Sequence, residues 1–405
     1  MSRRRLRFGA FIPAHHVPTN QNPTWGLQRD TELTQMLDAM GFEEAWFGEH
    51  HSGGVEPIND PLTMVMHTAN LTKHIKLGTG VVSLPYHNPL WLADRVVLMD
   101  HLTRGRMMLG LGPGALSADA NMIGIHASEL RDALEFDTGV LMHLLTNDEP
   151  LSVETDRYKL VEARLQMNTY TNPLFEVATA AIVSPSGPRL AGKYDLGMIS
   201  IGATSAGGFD AVGHHWGVLQ EQAAENGHVA DRNRWRLVAP FHIAETRDKA
   251  LKQARHGIDA WCDYLQHTAS TPQMAVQGET TDERLEWVIE SGTGVIGTYE
   301  DAIEQIERLW DQSKGGFGAM LLFDHNWASW EDKKNHYHLF TNYVMPHFQG
   351  TLPRLQESER WSRAIREEKT KQNWDAIQEF SKKHGDQHAA DEAAAKQAAT
   401  ENVKV

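Results

Sequence analysis

Ala45-Trp46-Phe47-Gly48-Glu49-His50-His51-Ser52-Gly53-Gly54 begins as a short apolar run and ends in a carboxylate, two imidazoles and a glycine turn. A buried strand of a parallel sheet reads this way, with its polar cluster at the carboxyl end. Related β-rich runs occur at Leu6–Ile12, Glu44–Phe47, Ile75–Gly80, Arg106–Gly110, Leu174–Ala180, Leu196–Ile201, Trp235–Phe241 and Gly318–Phe323. Helical spacing of apolar residues separates them, at Asp30–Met40, Pro61–Thr72, Pro89–Leu102, Ser128–Leu145, Pro188–Tyr194, Ala206–Glu225, Arg247–Gln266 and Tyr299–Gln312. Eight strands alternating with helices predict an α/β fold, a closed (β/α)₈ TIM barrel rather than an open doubly wound sheet.

The 405 residues exceed a minimal barrel of about 250. The surplus is placed in insertions and a C-terminal extension. Leu151–Asn172 reads as an antiparallel hairpin and Thr268–Gly294 as a long polar insertion. No proline follows Pro353, and Glu357–Lys383 reads as a charged helix leading into Ala/Lys/Glu/Gln-rich sequence. The expected organisation is a barrel over residues 1–348 and a charged helical extension with a mobile tail over 349–405.

Charged residues make up 22% and hydrophobic residues 41%, as in ordinary globular chains. The 38 basic and 53 acidic residues give a formal net charge of −15, which argues against nucleic acid and anionic lipid as partners. Cys262 stands alone, the start Met1-Ser2-Arg3-Arg4-Arg5 leads into no signal core, and no run of about 18 apolar residues occurs. A cytoplasmic protein with a small-molecule ligand and no membrane span is expected.

At the predicted strand ends, Glu49-His50-His51 places a base or donor with a pKa near neutrality on the active face; taken alone, it reads equally as satisfied loop histidines. His15-His16 joins it to make a metal-ligand set by composition. No H-E-x-x-H or C-x-x-C is present, so no metal is expected. Gly110-Leu111-Gly112-Pro113-Gly114-Ala115 formally fits a dinucleotide turn, but Pro113 removes an N–H from it. A strand exit where backbone approaches a flat ligand is the better reading. Ser184-Pro185-Ser186-Gly187-Pro188-Arg189 opens a helix with hydroxyls and free N–H groups suited to phosphate. Thr179 precedes it, and either faces that pocket or packs. Thr79-Gly80-Val81 leaves the third strand, where a planar ring can lie against main chain. Cys262 reads as a helix-packing residue.

Taken in order, Glu49–Gly54, Ile75–Pro89, Asp100–Arg106, Gly110–Leu116 and Ser184–Tyr194 resemble the bacterial-luciferase-like flavin-dependent monooxygenases, and within them the limonene 1,2-monooxygenase-like group, from about Leu6 to about Pro346. The resemblance implies a homodimeric barrel that takes reduced FMN from a separate NAD(P)H:flavin reductase. O₂ then forms a C4a-hydroperoxide that gives one oxygen atom to a small apolar substrate such as a terpene. It implies His50 as the catalytic donor, a cis peptide at Gly80-Val81, and a phosphate contact from Ser184 with Ser186 and Gly187 beside it; Thr79 and Thr179 are further candidate cofactor contacts read from their own segments. Pro113 stands where luciferase has a phosphate-binding arginine, leaving Arg189 or backbone to serve. Gly112 replaces a cysteine and leaves more room beside the flavin. Trp25 and Met122 are the candidate substrate-pocket residues. The competing readings are a deazaflavin-dependent hydride-transfer oxidoreductase, a flavin-binding relative without turnover, and a metal-dependent barrel hydrolase.

Overall fold

All eight expected barrel strands are present to within two residues at each end in the computed structural model, which describes residues 5–16, 21–269, 275–385 and 387–401. The strands are β1 (Arg7–Ile12), β2 (Glu44–Phe47), β3 (Lys76–Thr79), β4 (Val82–Ser83), β5 (Met107–Gly112), β6 (Leu151–Glu154), β7 (Lys159–Ala163), β8 (Glu176–Ala181), β9 (Gly197–Ser200), β10 (Trp235–Ile243), β11 (Val295–Gly297) and β12 (Ala319–Phe323). Parallel pairing runs β1–β2–β3–β5–β8–β9–β10–β12 and returns to β1, closing an eight-strand barrel. β4 continues the line of β3 and pairs with the end of β5, while β6 and β7 form the expected antiparallel hairpin.

The helices are α1 (Pro23–Met40), α2 (Pro61–Ala69), α3 (Pro89–Thr103), α4 (Ser117–Met122), α5 (Leu130–Thr146), α6 (Ser186–Lys193), α7 (Ala206–Glu225), α8 (Arg247–Ala254), α9 (Ile258–His267), α10 (Thr281–Glu290), α11 (Tyr299–Gln312), α12 (Trp330–Leu339), α13 (Met345–Gln349), α14 (Pro353–His384) and α15 (Gln387–Glu401). The first three start alike. Asn22, Asp60 and Asn88 each accept hydrogen bonds from first-turn N–H groups, and each is followed by a proline whose missing N–H costs nothing there. α10 and α11 open with capping boxes, Thr280 with Glu283 and Thr298 with Asp301.

Three departures have local causes. The single helix expected over Arg247–Gln266 is two helices, because the Gly257 N–H bonds to Trp327 O at 2.9 Å, outside the helical ladder. The polar insertion Thr268–Gly294 is not a plain loop, since its charged stretch folds as α10; residues 270–274 of it lie outside the described residues. β11, too short to register as a strand in sequence, adds to the last residues of β10 outside the ring. The chain divides into two compact units, Met1–Gln349 and Gly350–Val405. In the second, Gln387–Glu401 forms a helix, and Gln378 Nε2 donates to Gln397 Oε1 at 3.4 Å. Met1–Arg4 and residues 402–405 lie outside the described residues.

Inside the barrel, Phe11, Trp46, Met108, Ala178, Ile199, Val238 and Leu321 form a sealed apolar layer. Beneath it, at the amino ends of the strands, Arg236 Nε donates to Glu44 Oε2 at 2.7 Å and Arg236 Nη1 to Glu176 Oε1 at 3.1 Å. Arg7 Nε and Trp46 Nε1 each donate to Glu44 at 3.0 Å. Burial would push the Glu44 carboxyl up, yet Arg236 and Arg7 hold it down at about 2. This network ties β1, β2, β8 and β10 together across the barrel floor.

Replacing Arg236 with Gln leaves Glu44 buried beside a neutral partner. The expected loss is about 3–5 kcal/mol of stability, read as a lower urea midpoint. A midpoint shift below about 0.5 kcal/mol, the scale of an ordinary surface substitution, would contradict the role given to this network.

Candidate active site

At the carboxyl end of β2 the chain runs through Gly48 into Glu49 and His50, as its sequence anticipates. Glu49 is buried; its Oε1 accepts from His51 Nε2 at 3.0 Å and from His87 Nε2 at 2.8 Å, and its Oε2 from the Ser83 N–H at 2.6 Å. Burial alone would raise its pKa, but these donors hold it at about 2. Glu49 is therefore a fixed anion that joins the end of β2 to the segment after β4.

His50 lies beside two further carboxylates. Its Nε2 is 3.0 Å from Glu56 Oε2 and its Nδ1 is 3.6 Å from Asp119 Oδ2. Glu56 arrives from the loop between β2 and α2, and Asp119 from α4 after β5. Glu56 Oε2 also accepts the Tyr264 hydroxyl of α9 at 2.5 Å, and Asp119 Oδ1 accepts from Ser52 at 2.5 Å. Burial by itself lowers an imidazole pKa. Here Glu56 and Asp119 outweigh it, and His50 keeps its proton to higher pH than a free histidine. Its Nδ1 and the Tyr86 hydroxyl are buried without a hydrogen-bond partner.

Beside this charged wall is an apolar floor. Val81, Ala180, Ile201 and Phe323 sit half-buried at the strand ends, and the Phe323 ring stacks on Phe11 at 5.8 Å. The Gly80–Val81 peptide is cis. Across the floor, α6 follows directly from β8. The Ser186 N–H bonds to Ser184 Oγ at 3.3 Å, Pro188 has no N–H and the Arg189 N–H bonds to Pro185 O at 3.0 Å, so the Gly187 N–H is the donor left at the helix start. A Cβ at Gly187 would strike Ala180 O, so only glycine lets α6 begin this close to the strand. Pro185 caps α6 with no side-chain hydrogen bond, while Ser184 and Ser186 are 3.1 Å apart and half-buried.

A family model described as luciferase-like monooxygenase matches residues 6–314. The chain belongs to the luciferase-like monooxygenase family. Limonene 1,2-monooxygenase of Rhodococcus erythropolis is 42% identical over 355 residues, covering 87% of this chain and 89% of that protein. The 4-hydroxyprotoasukamycin monooxygenase of Streptomyces nodosus subsp. asukaensis is 36% identical over 362 residues, 88% of this chain and 96% of that one. The fold matches the oxygenating constituent of 3,6-diketocamphane monooxygenase from Pseudomonas putida, a structure with FMN. The TM-score is 0.70 at 21% identity over 84% of this chain and 98% of that one. This luciferase-like protein is accordingly an enzyme, a monooxygenase.

Several site residues read from the sequence sit differently in this luciferase-like barrel. Gly112 leaves no open room, because the space a Cβ would take lies 2.5 Å from Val81 Cγ2. The Thr79 hydroxyl is committed to the sheet, donating to Gly110 O and accepting from the Gly110 N–H, each at 2.9 Å. Thr179 is fully buried on the helix-facing side of β8 with Val177 and Ala181, opposite Ala178, because side chains alternate along a strand. Arg189, Trp25 and Met122 are exposed. The five donors of the compositional metal set do not converge: His15 packs against Tyr264, His16 pairs with Asp30, and His51 turns to Glu49. Glu56, Asp119, Tyr264 and His87 were not singled out from sequence, because each comes from a different connection and carries no local motif. The spacing Glu49-His50-x₅-Glu56 was their only signal.

Replacing Glu56 with Gln removes a negative charge from His50 while keeping a polar group in place. The His50 titration midpoint, identified by its absence in His50→Gln, is expected to fall in the NMR pH series. An unchanged midpoint would show that Glu56 does not set the charge of this imidazole.

Proposed function

We propose that this monooxygenase is the oxygenase component of a two-component system. It binds reduced FMN supplied by an NAD(P)H:flavin reductase, and uses O₂ to place one oxygen atom in a small apolar substrate, a monocyclic terpene being the first to test. The reading is carried by one observation: an apolar floor, a histidine set between the carboxylates of Glu56 and Asp119, and a glycine-led helix start flanked by two serine hydroxyls all meet at one barrel end. The relatives' names supply the remaining support.

The residues present fit FMN. The half-buried floor of Val81, Ala180, Ile201 and Phe323 suits a large apolar ring system, and Ser184, Ser186 and the Gly187 N–H suit a phosphate. Pro113 supplies no charge there, so those neutral donors with the α6 dipole carry the phosphate, and the exposed Arg189 stays at the rim. When bound, reduced FMN supplies the electrons that activate O₂. Glu56 at Nε2 and Asp119 at Nδ1 stabilise the protonated form of His50, the proton source nearest the mouth. The apolar floor excludes water from the same space.

A homodimer is part of the proposal. On α3, Trp91, Leu98 and Leu102 are 62%, 47% and 62% exposed, and their spacing of seven and four puts them on one face. A cytoplasmic location accords with the lone buried Cys262, and no helix among the described residues is long and apolar enough to cross a membrane.

Anaerobic titration with photoreduced FMN is expected to show saturable binding. The Ser184→Ala/Ser186→Ala double variant should weaken it by roughly tenfold, the worth of a hydrogen bond or two to a charged group. With reductase, NADH, ¹⁸O₂ and limonene, one labelled atom should enter the product. Absence of reduced-FMN binding, or turnover with unlabelled product, would overturn the reading. Leu98→Asp with Leu102→Arg should convert a dimer to a monomer in light scattering, and an unaltered mass would remove α3 from the interface.

A further inference from the structure

We propose that a second cavity, beside the histidine wall but separate from the apolar floor, is a binding site for a small organic carboxylate. The cavity measures about 270 Å³ and lies between the start of α1 and the start of α12. That is just under the range of sites for drug-sized ligands, and suits a molecule the size of an aromatic acid. None of Val81, Ala180, Ile201, Phe323 or His50 lines it.

The charges around it are nearly all spent, with one exception. Lys333 Nζ donates to Asp324 Oδ2 at 2.8 Å and to Asn326 Oδ1 at 3.1 Å. His16 Nε2 is 3.0 Å from Asp30 Oδ2, and burial pushes the Asp30 carboxyl up toward its neutral form. Among the described residues Arg29 has no carboxylate partner, and its Nε is buried without a hydrogen bond. Instead its guanidinium sits 6.0 Å from the Trp25 ring and 5.8 Å from the Trp330 ring. The remaining titratable group on the lining, His256, is exposed at the rim.

One further feature favours an anion. Asn22 and Pro23 open α1 on the cavity wall, and the first turn of that helix holds no acidic residue to offset its positive end. A cation held among aromatic rings beside a helix start makes a recognition set for a planar carboxylate with an apolar body.

The cavity also touches the active loop. Gly54 and Pro57 line it and flank Glu56, the partner of His50, while the His16 N–H bonds to Val55 O at 2.8 Å. A ligand there packs behind the segment that carries Glu56. Occupancy is thereby coupled to the His50 environment without contact to the reacting atoms.

Calorimetric titration of the flavin-free protein with benzoate tests this independently of the flavin reading. Saturable binding is expected, weaker by roughly tenfold or more for benzamide and for the Arg29→Gln variant. Ser186→Ala should bind benzoate as the wild type does. No saturable binding, equal binding of benzoate and benzamide, or binding kept in Arg29→Gln would each overturn the proposal. Loss in Ser186→Ala alone would place the carboxylate at α6 and overturn it too.

Discussion

A buried ion costs several kcal/mol unless its charge and its hydrogen-bonding positions are met, and Arg236 in the barrel floor meets both requirements through Glu44 and Glu176. Those carboxylates begin β2 and β8, nearly opposite one another in the ring, so satisfying one guanidinium fixes strands distant in sequence. Trp46 adds an indole N–H to the same carboxylate, and its ring lies 5.1 Å from the guanidinium. With the amino end closed by charge and the middle filled by Trp46, Met108, Ile199 and Leu321, the carboxyl end is free to stay open. The monooxygenase site occupies the end of the barrel that the packing does not need.

That open end is electrically divided. Glu49, Glu56 and Asp119 gather on the β2 side, and their fields raise the His50 pKa against the penalty of burial. Across the floor the α6 start offers hydroxyls, backbone donors and the helix dipole, with the exposed Arg189 at the rim. On the proposed reading, an anionic group is met at one edge of the mouth and a proton is held at the other, with apolar residues between them. The cavity behind the His50 loop repeats this logic on a smaller scale, with Arg29 as its unspent charge.

Much of this was legible in the sequence because it is local. Strands bounded by glycine and polar clusters were placed to within two residues. The Asx-Pro starts of α2 and α3 and the glycine-led start of α6 are contained within a few consecutive residues, whereas α1, expected only from Asp30, begins at Pro23. Three-dimensional contacts were not legible. Thr79 and Thr179 sit at strand ends where a hydroxyl suggests a ligand, yet one bonds to the neighbouring strand and the other lies on the wrong face. Gly112 suggested space, but Val81 from the adjoining strand fills it. Helix α10 escaped notice because its exposed, charged surface dilutes the apolar period.

The sequence alone determined the alternating strand and helix order, the family resemblance, and His50 as the candidate catalytic residue, because periodicity and short motifs are properties of adjacent residues. Only the tertiary structure decided how His50 is charged. Its partners Glu56 and Asp119, with Tyr264 fixing Glu56, come from three separate connections, and electrostatic energy depends on distance in space rather than on position along the chain.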